Sequence, residues 1–162
     1  MKKAIAVSHI LSWVNLIISG GFILICVIGI LIFQGMQFIL PVVMFGSITL
    51  HSYAALQLRK SIVNPLIPLN AQTPTGIRII GYIVLFLALM FFSESLFILQ
   101  NPEQVLKYLQ FPPEAKLYNP KTYIQRVSGF MLGFSISLAV NVILNFRFLK
   151  WYIVNNTNDS NR

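Results

Sequence analysis

The chain has 162 residues, of which 56% are hydrophobic and only 10% charged; that composition excludes an ordinary soluble domain and leaves room for one compact membrane domain, residues 1–154. The formal net charge of +8 rests on 12 Lys and Arg against 4 Asp and Glu. Neither a basic helix nor an aromatic stacking module accompanies that excess, so nucleic acid is excluded as a partner and the lipid bilayer is expected to be one.

From the N-terminus, "MKKAIAV" begins like a signal peptide, but His9, Ser12 and Asn15 interrupt the short apolar core, and no A-x-A site follows. The apolar run instead continues through Phe33, far enough to cross a bilayer. About 20 mostly apolar residues are needed for a hydrocarbon core of about 30 Å. Four segments meet that length, 10–33, 38–58, 77–99 and 127–149, and runs of that kind exclude strands. Cys26, the single cysteine, allows no intramolecular disulfide and reads as a buried structural thiol.

Only Gln34, Gly35, Met36 and Gln37 join the first two spans, which must therefore form an antiparallel hairpin. Pro41 falls in the first turn of the second span, where a missing backbone donor costs little. The next connection, "RKSIVNPLIPLNAQTPTG", holds Pro65, Pro68 and Pro74 and cannot be a continuous helix. Its apolar residues Ile62, Val63, Leu66, Ile67 and Leu69 are expected to lie against the bundle or the lipid interface. Thr75 is the expected cap of the third helix.

Between the third and fourth spans, Asn101, Pro102 and Gln104 make a helix start, as cap, first and third positions, for a short interfacial helix reaching about Leu109. Tyr108, Tyr118 and Tyr123 suit the headgroup region. The final "NNTNDSNR", residues 155–162, reads as a disordered polar tail.

Positive charge near span ends is retained on the cytoplasmic side. Lys2, Lys3, Arg59, Lys60, Arg78, Arg147, Lys150 and Arg162 fall on one side, against Lys107, Lys116, Lys121 and Arg126 on the other. Both termini are therefore expected in the cytoplasm. The small size and economical loops point to a bacterial cytoplasmic membrane.

Glu94 is the one acidic residue inside a span, and an intramembrane carboxylate is a functional candidate by default. At 1.5 Å per residue it lies about 25 Å up the third span, near the outer boundary, so an ion pair with Arg126 is favoured over a proton or cation role. His51, Asn141 and Asn15 lie about 10, 12 and 8 Å above the inner boundary, one polar layer some 15 Å from Glu94 in depth. A neutral His51 bonded to Asn141 or Asn15 is the favoured reading, and a pocket open to the cytoplasm is the alternative. Ser47, Ala54 and Ala55 near His51 would let a neighbour approach. Heme ligation by His51 lacks a second ligand, since His9 sits at the membrane edge.

In the fourth span, Gly129, Gly133, Ser137, Asn141 and Asn145 recur every four residues. Gly129 and Gly133 form a G-x-x-x-G pair suited to close helix contact, within the chain or in a homodimer. Each step of four residues drifts by about 40°, so the glycine and asparagine ends should meet different neighbours. Ser19, Gly20, Gly21 and Gly29 offer a complementary smooth surface on the first span.

No paired carboxylates, Cys/His cluster, P-loop, H-E-x-x-H or G-x-S-x-G occurs, and no motif is specific enough to name a family. The expectation is an all-α fold, an antiparallel four-helix transmembrane bundle without catalytic residues, metal or cofactor. It would act as a subunit or helix-packing partner in a homodimer or larger membrane complex. The alternative is a small carrier or lipid- or small-molecule-binding protein with a polar pocket.

Overall fold

The computed structural model describes residues 2–64, 66–70, 72–108 and 119–159, and every element among them is helical. Helix α1 spans Lys2–Phe33, a short 3-10 helix spans Met36–Phe38, and α2 spans Ile39–Val63. They are followed by α3 (Thr73–Gln100), α4 (Pro102–Tyr108) and α5 (Pro120–Asp159). Helices α1, α2, α3 and α5 are each long and apolar enough to cross a membrane. Their outward faces carry large exposed apolar side chains such as Ile17, Leu24, Leu31, Phe86 and Ile143. A surface of that kind suits hydrocarbon as the surrounding solvent, and with that solvent a multi-pass membrane protein is the coarse class.

What turns each helix inward is a seam of period 3.5. In α3 the buried positions Ile77, Gly81, Val84, Ala88, Phe91 and Ser95 alternate steps of four and three, the spacing that keeps one stripe facing its neighbours along the whole helix. In α1 the same spacing selects Ser8, Ser12, Asn15 and Ser19, and further on Cys26 and Gly29. In α5 it selects Ile124, Ser128, Ser135, Leu138, Val142, Asn145 and Leu149. Helix α3 packs most extensively on α5 and α1 on α2, with further contacts of α2 on α3 and α1 on α5.

Two apolar clusters fill the interior. One joins Ile48 of α2, Val84, Leu87, Ala88 and Phe91 of α3, and Phe134, Leu138 and Val142 of α5. The other, at the end where the chain begins, joins Leu58, Ile77, Phe148 and Leu149, with Ala4, Ile5 and Leu69 against it. Lipid tails are as apolar as these side chains, so the clusters hold the helices by close packing rather than by release from water.

The connections depart from expectation in instructive ways. The turn after α1 places Gln34 at φ 48°, the left-handed region usual for the residue just past a helix end. Phe38 then lays its ring on Gly29, where a Cβ would stand 3.1 Å from Cζ. Thr75 does not cap α3. The helix begins earlier, at Thr73, because Pro74 has the fixed φ a first turn needs; Gln72 is the cap residue and its side chain makes no capping bond. Asn101 likewise leaves the start of α4 to its backbone carbonyl, which accepts from Gln104 N–H and Val105 N–H, while its own Nδ2–H donates to Phe97 O and closes the end of α3.

Helix α4 is tied to α5 by Lys121 Nζ, which donates to Glu103 Oε1 at 2.7 Å. Leu109 and Tyr118 lie outside the described residues. The segment expected to be disordered from Asn155 continues α5 in backbone to Asp159, and residues 160–162 lie outside the described residues. After α2, Leu69 N–H donates to the Tyr152 hydroxyl at 3.3 Å and its side chain packs on the second cluster, while Leu66 projects outward.

Candidate functional site

Five buried polar residues, Ser8, Ser12 and Asn15 of α1 with Asn141 and Asn145 of α5, gather along the contact between these two helices. Asn141 Oδ1 accepts from Ser12 Oγ at 3.1 Å, from Ser8 Oγ at 3.4 Å and from Asn145 Nδ2 at 3.1 Å. Ser8 Oγ also lies 3.0 Å from Asn145 Oδ1, and Ser137 Oγ donates to Asn15 Oδ1 at 2.9 Å. All of these residues except Ser137 are buried. As α1 advances from Ser8 to Asn15, its partners on α5 retreat from Asn145 to Ser137, so the two helices run in opposite directions. The Ser19 and Thr49 hydroxyls, 2.7 Å apart, extend the chain of bonds to α2.

This seam contains hydroxyls and carboxamides and no titratable group. It can align helices and recognise hydrogen-bonding atoms, but it cannot shuttle a proton by acid and base. In lipid each such bond contributes about 0.6 kcal/mol and at most about 1.7 kcal/mol, and several in register fix which helix faces which.

His51 does not join it. The expected bond to Asn141 or Asn15 is absent; His51 is buried with Nε2 making no hydrogen bond, and it faces α3, 3.3 Å from where a Cβ on Gly81 would stand. Depth alone had grouped these three residues, but α2 lies against α1 and α3 and touches α5 only slightly. Asn15 Nδ2 and Ser52 Oγ are likewise buried without a partner. Ser47 turns back on its own helix, donating to Val43 O at 3.0 Å, while Ala55 is buried.

Glu94 and Arg126 do not meet either. Both are exposed, and among the described residues the ion pair formed joins Lys121 and Glu103 instead. Rotation explains it. Ser95 faces inward and donates to Phe91 O, so Glu94, about 100° away, turns outward; Arg126 lies two residues, about 200°, from both Ile124 and Ser128, which face the interior.

The glycine pair is also on the outside. Gly129 and Gly133 are exposed, with nothing within 4 Å of a Cβ built on either, so neither packs on another helix among the described residues. Of Gly129, Gly133 and Ser137, only Ser137 contacts another helix among the described residues, while Asn141 and Asn145 at the far end of the row bond α1. The close approach occurs at Gly81, which sequence reasoning missed; so did it Ser8 and Ser12, whose signal is the four-three spacing.

Among the described residues no three of His, Cys, Asp and Glu come together as metal ligands would. No protein-family model matches the chain, and no curated protein or solved structure does either.

Proposed function

We propose that this chain is a non-catalytic membrane subunit that works by packing its helices against another chain. It is an antiparallel four-helix bundle with both termini cytoplasmic, in a bacterial cytoplasmic membrane. What supports this is the outward face of α5, a helix long and apolar enough to cross a membrane, where Gly129 and Gly133 are exposed and leave open space. Meanwhile most of the interior carboxamide and hydroxyl groups are engaged with one another. A smooth apolar face allows a second helix to approach closely, whether from another copy or a different subunit.

Affinity purification from native membrane tests the reading. A copurifying partner or a dimer is expected, and Gly133→Leu should release it while the purified chain keeps its helical content and melting temperature. Recovery of a partner-free monomer from mild detergent and from lipid nanodiscs alike would reject it.

A carrier or small-molecule-binding role is the second reading, favoured by the buried and unpaired Asn15 Nδ2, His51 Nε2 and Ser52 Oγ. Under it, His51→Ala or Glu94→Gln abolishes pH-dependent uptake or ligand binding in a bundle that still folds. Unchanged binding in both variants removes this reading.

A further inference from the structure

At the end of the helices where the chain begins, a groove of about 400 Å³ opens between α1 and α2. Arg59 and Lys60 line it from the last turns of α2, His9 and Trp13 from the first half of α1, and no acidic residue joins them among the described residues. Of the three acidic residues in the described helices, Glu94 and Glu103 belong to the other end of the molecule and Asp159 is the last residue of α5.

Arg59 Nε–H is buried and makes no hydrogen bond. Such a guanidinium donor is costly to leave unmade, and an anionic oxygen is the acceptor that satisfies it best. Trp13 Nε1–H donates to His9 Nε2 at 3.1 Å, which leaves the proton of the neutral imidazole on Nδ1 as a further donor. The turn after α2 completes the wall: Asn64 N–H donates to Lys60 O and Ile67 N–H to Asn64 O, folding Ile67 back over the groove. Leu56 and Val63 make its remaining surface apolar.

We propose that this groove binds an anionic phospholipid, with Arg59 and Lys60 on its phosphate and Trp13, Leu56 and Val63 beside its acyl chains. Free phosphate would use the cations but gain nothing from the apolar wall. Tryptophan with basic residues at the edge of a span is the composition that meets headgroups, and anionic lipid is concentrated on the cytoplasmic leaflet. A second groove, between α3 and α5 at Arg78, Tyr82 and Lys150, holds cations too, but no buried unpaired donor is among its lining residues. The proposal uses none of the residues of the α5 association face and stands apart from it.

The test follows Trp13 fluorescence in a W151F chain, reconstituted in phosphatidylcholine vesicles holding a minority of lipid with brominated chains. Bromine on phosphatidylglycerol should quench Trp13 more than the same fraction of bromine on phosphatidylcholine. Arg59→Gln should lower that preference about tenfold, the scale of one charge-assisted hydrogen bond. Lys60→Gln, at an exposed position, should lower it less, and Arg78→Gln should leave it unchanged; circular dichroism checks that each variant is folded. Equal quenching by the two lipids, or a preference that survives both Arg59→Gln and Lys60→Gln, overturns the proposal. Relief of the quenching by added inorganic phosphate identifies a free-anion site and overturns it as well.

Discussion

The ring of Phe146 on α5 covers Gly81 on α3 so closely that a Cβ at position 81 would stand 2.5 Å from Cε1 and 2.7 Å from Cζ. His51 Nε2 bounds the same space from α2, so one absent side chain lets three helices converge.

Gly81→Ala should therefore destabilise the fold by about 1–3 kcal/mol, the usual cost of overpacking, despite alanine's better helix propensity. Gly129→Ala meets open space and should leave unfolding in mixed micelles unchanged or slightly improved. Phe146→Leu in the Gly81→Ala background should recover part of the loss. Equal melting temperatures for the Gly81 and Gly129 variants would show that the contact does not constrain the helices.

Asn141 is the hub of the seam, since its Oδ1 receives Ser12, Ser8 and Asn145. Replacing it by Leu takes the acceptor from Ser12 Oγ and Asn145 Nδ2, while Ser8 Oγ keeps Asn145 Oδ1, and should cost about 1–3 kcal/mol. Ser12→Ala removes one bond and should cost under about 1 kcal/mol. Because the two share a bond, the double variant should be less destabilised than the sum, which a double-mutant cycle in detergent measures.

Glu103 gives a pH dependence. The hydrogen bond from Lys121, and then that lysine's charge, hold its carboxyl below the ordinary value of 4.5. A lowered folded-state value means that the pair's contribution is present above 4.5 and disappears as pH falls through the folded value. Both side chains are substantially exposed, so global stability should barely change. What should change is local: the protection of α4 amides relative to their intrinsic exchange rates falls on acidification below 4.5, and Glu103→Gln should show the same lowered protection at neutral pH. Protection in α4 that is independent of both pH and substitution would contradict this.

Run length made the spans and the tight hairpin legible, because hydrocarbon admits few alternatives to a helix. The buried thiol of Cys26 followed from its place in an apolar run. Rotation about each helix axis was harder to read. Depth grouped His51 with Asn15 and Asn141, and Glu94 with Arg126, but depth says nothing of azimuth. The four-three seams Ser8, Ser12, Asn15, Ser19 and Ile77, Gly81, Val84, Ala88 carry that information. They were obscured by a more conspicuous G-x-x-x-G that points away from the chain. Gly81 stands alone in an apolar stretch, so only its partner's ring reveals why it must be small.

The seam between α1 and α5 also bears on how the protein is made. Ser12 of the first helix bonds a residue 129 positions later, and Ser8 one 137 positions later. During synthesis α1 therefore enters the bilayer with its carboxamide and hydroxyl stripe uncovered, and only α2 arrives early enough to shelter part of it through Thr49. Until the last helix is delivered, the stripe lacks its α5 partners and its hydroxyls have the backbone of their own helix, as Ser19 has Asn15 O. Maturation of the fold is thus a late, end-to-end closure rather than a stepwise growth from the first hairpin.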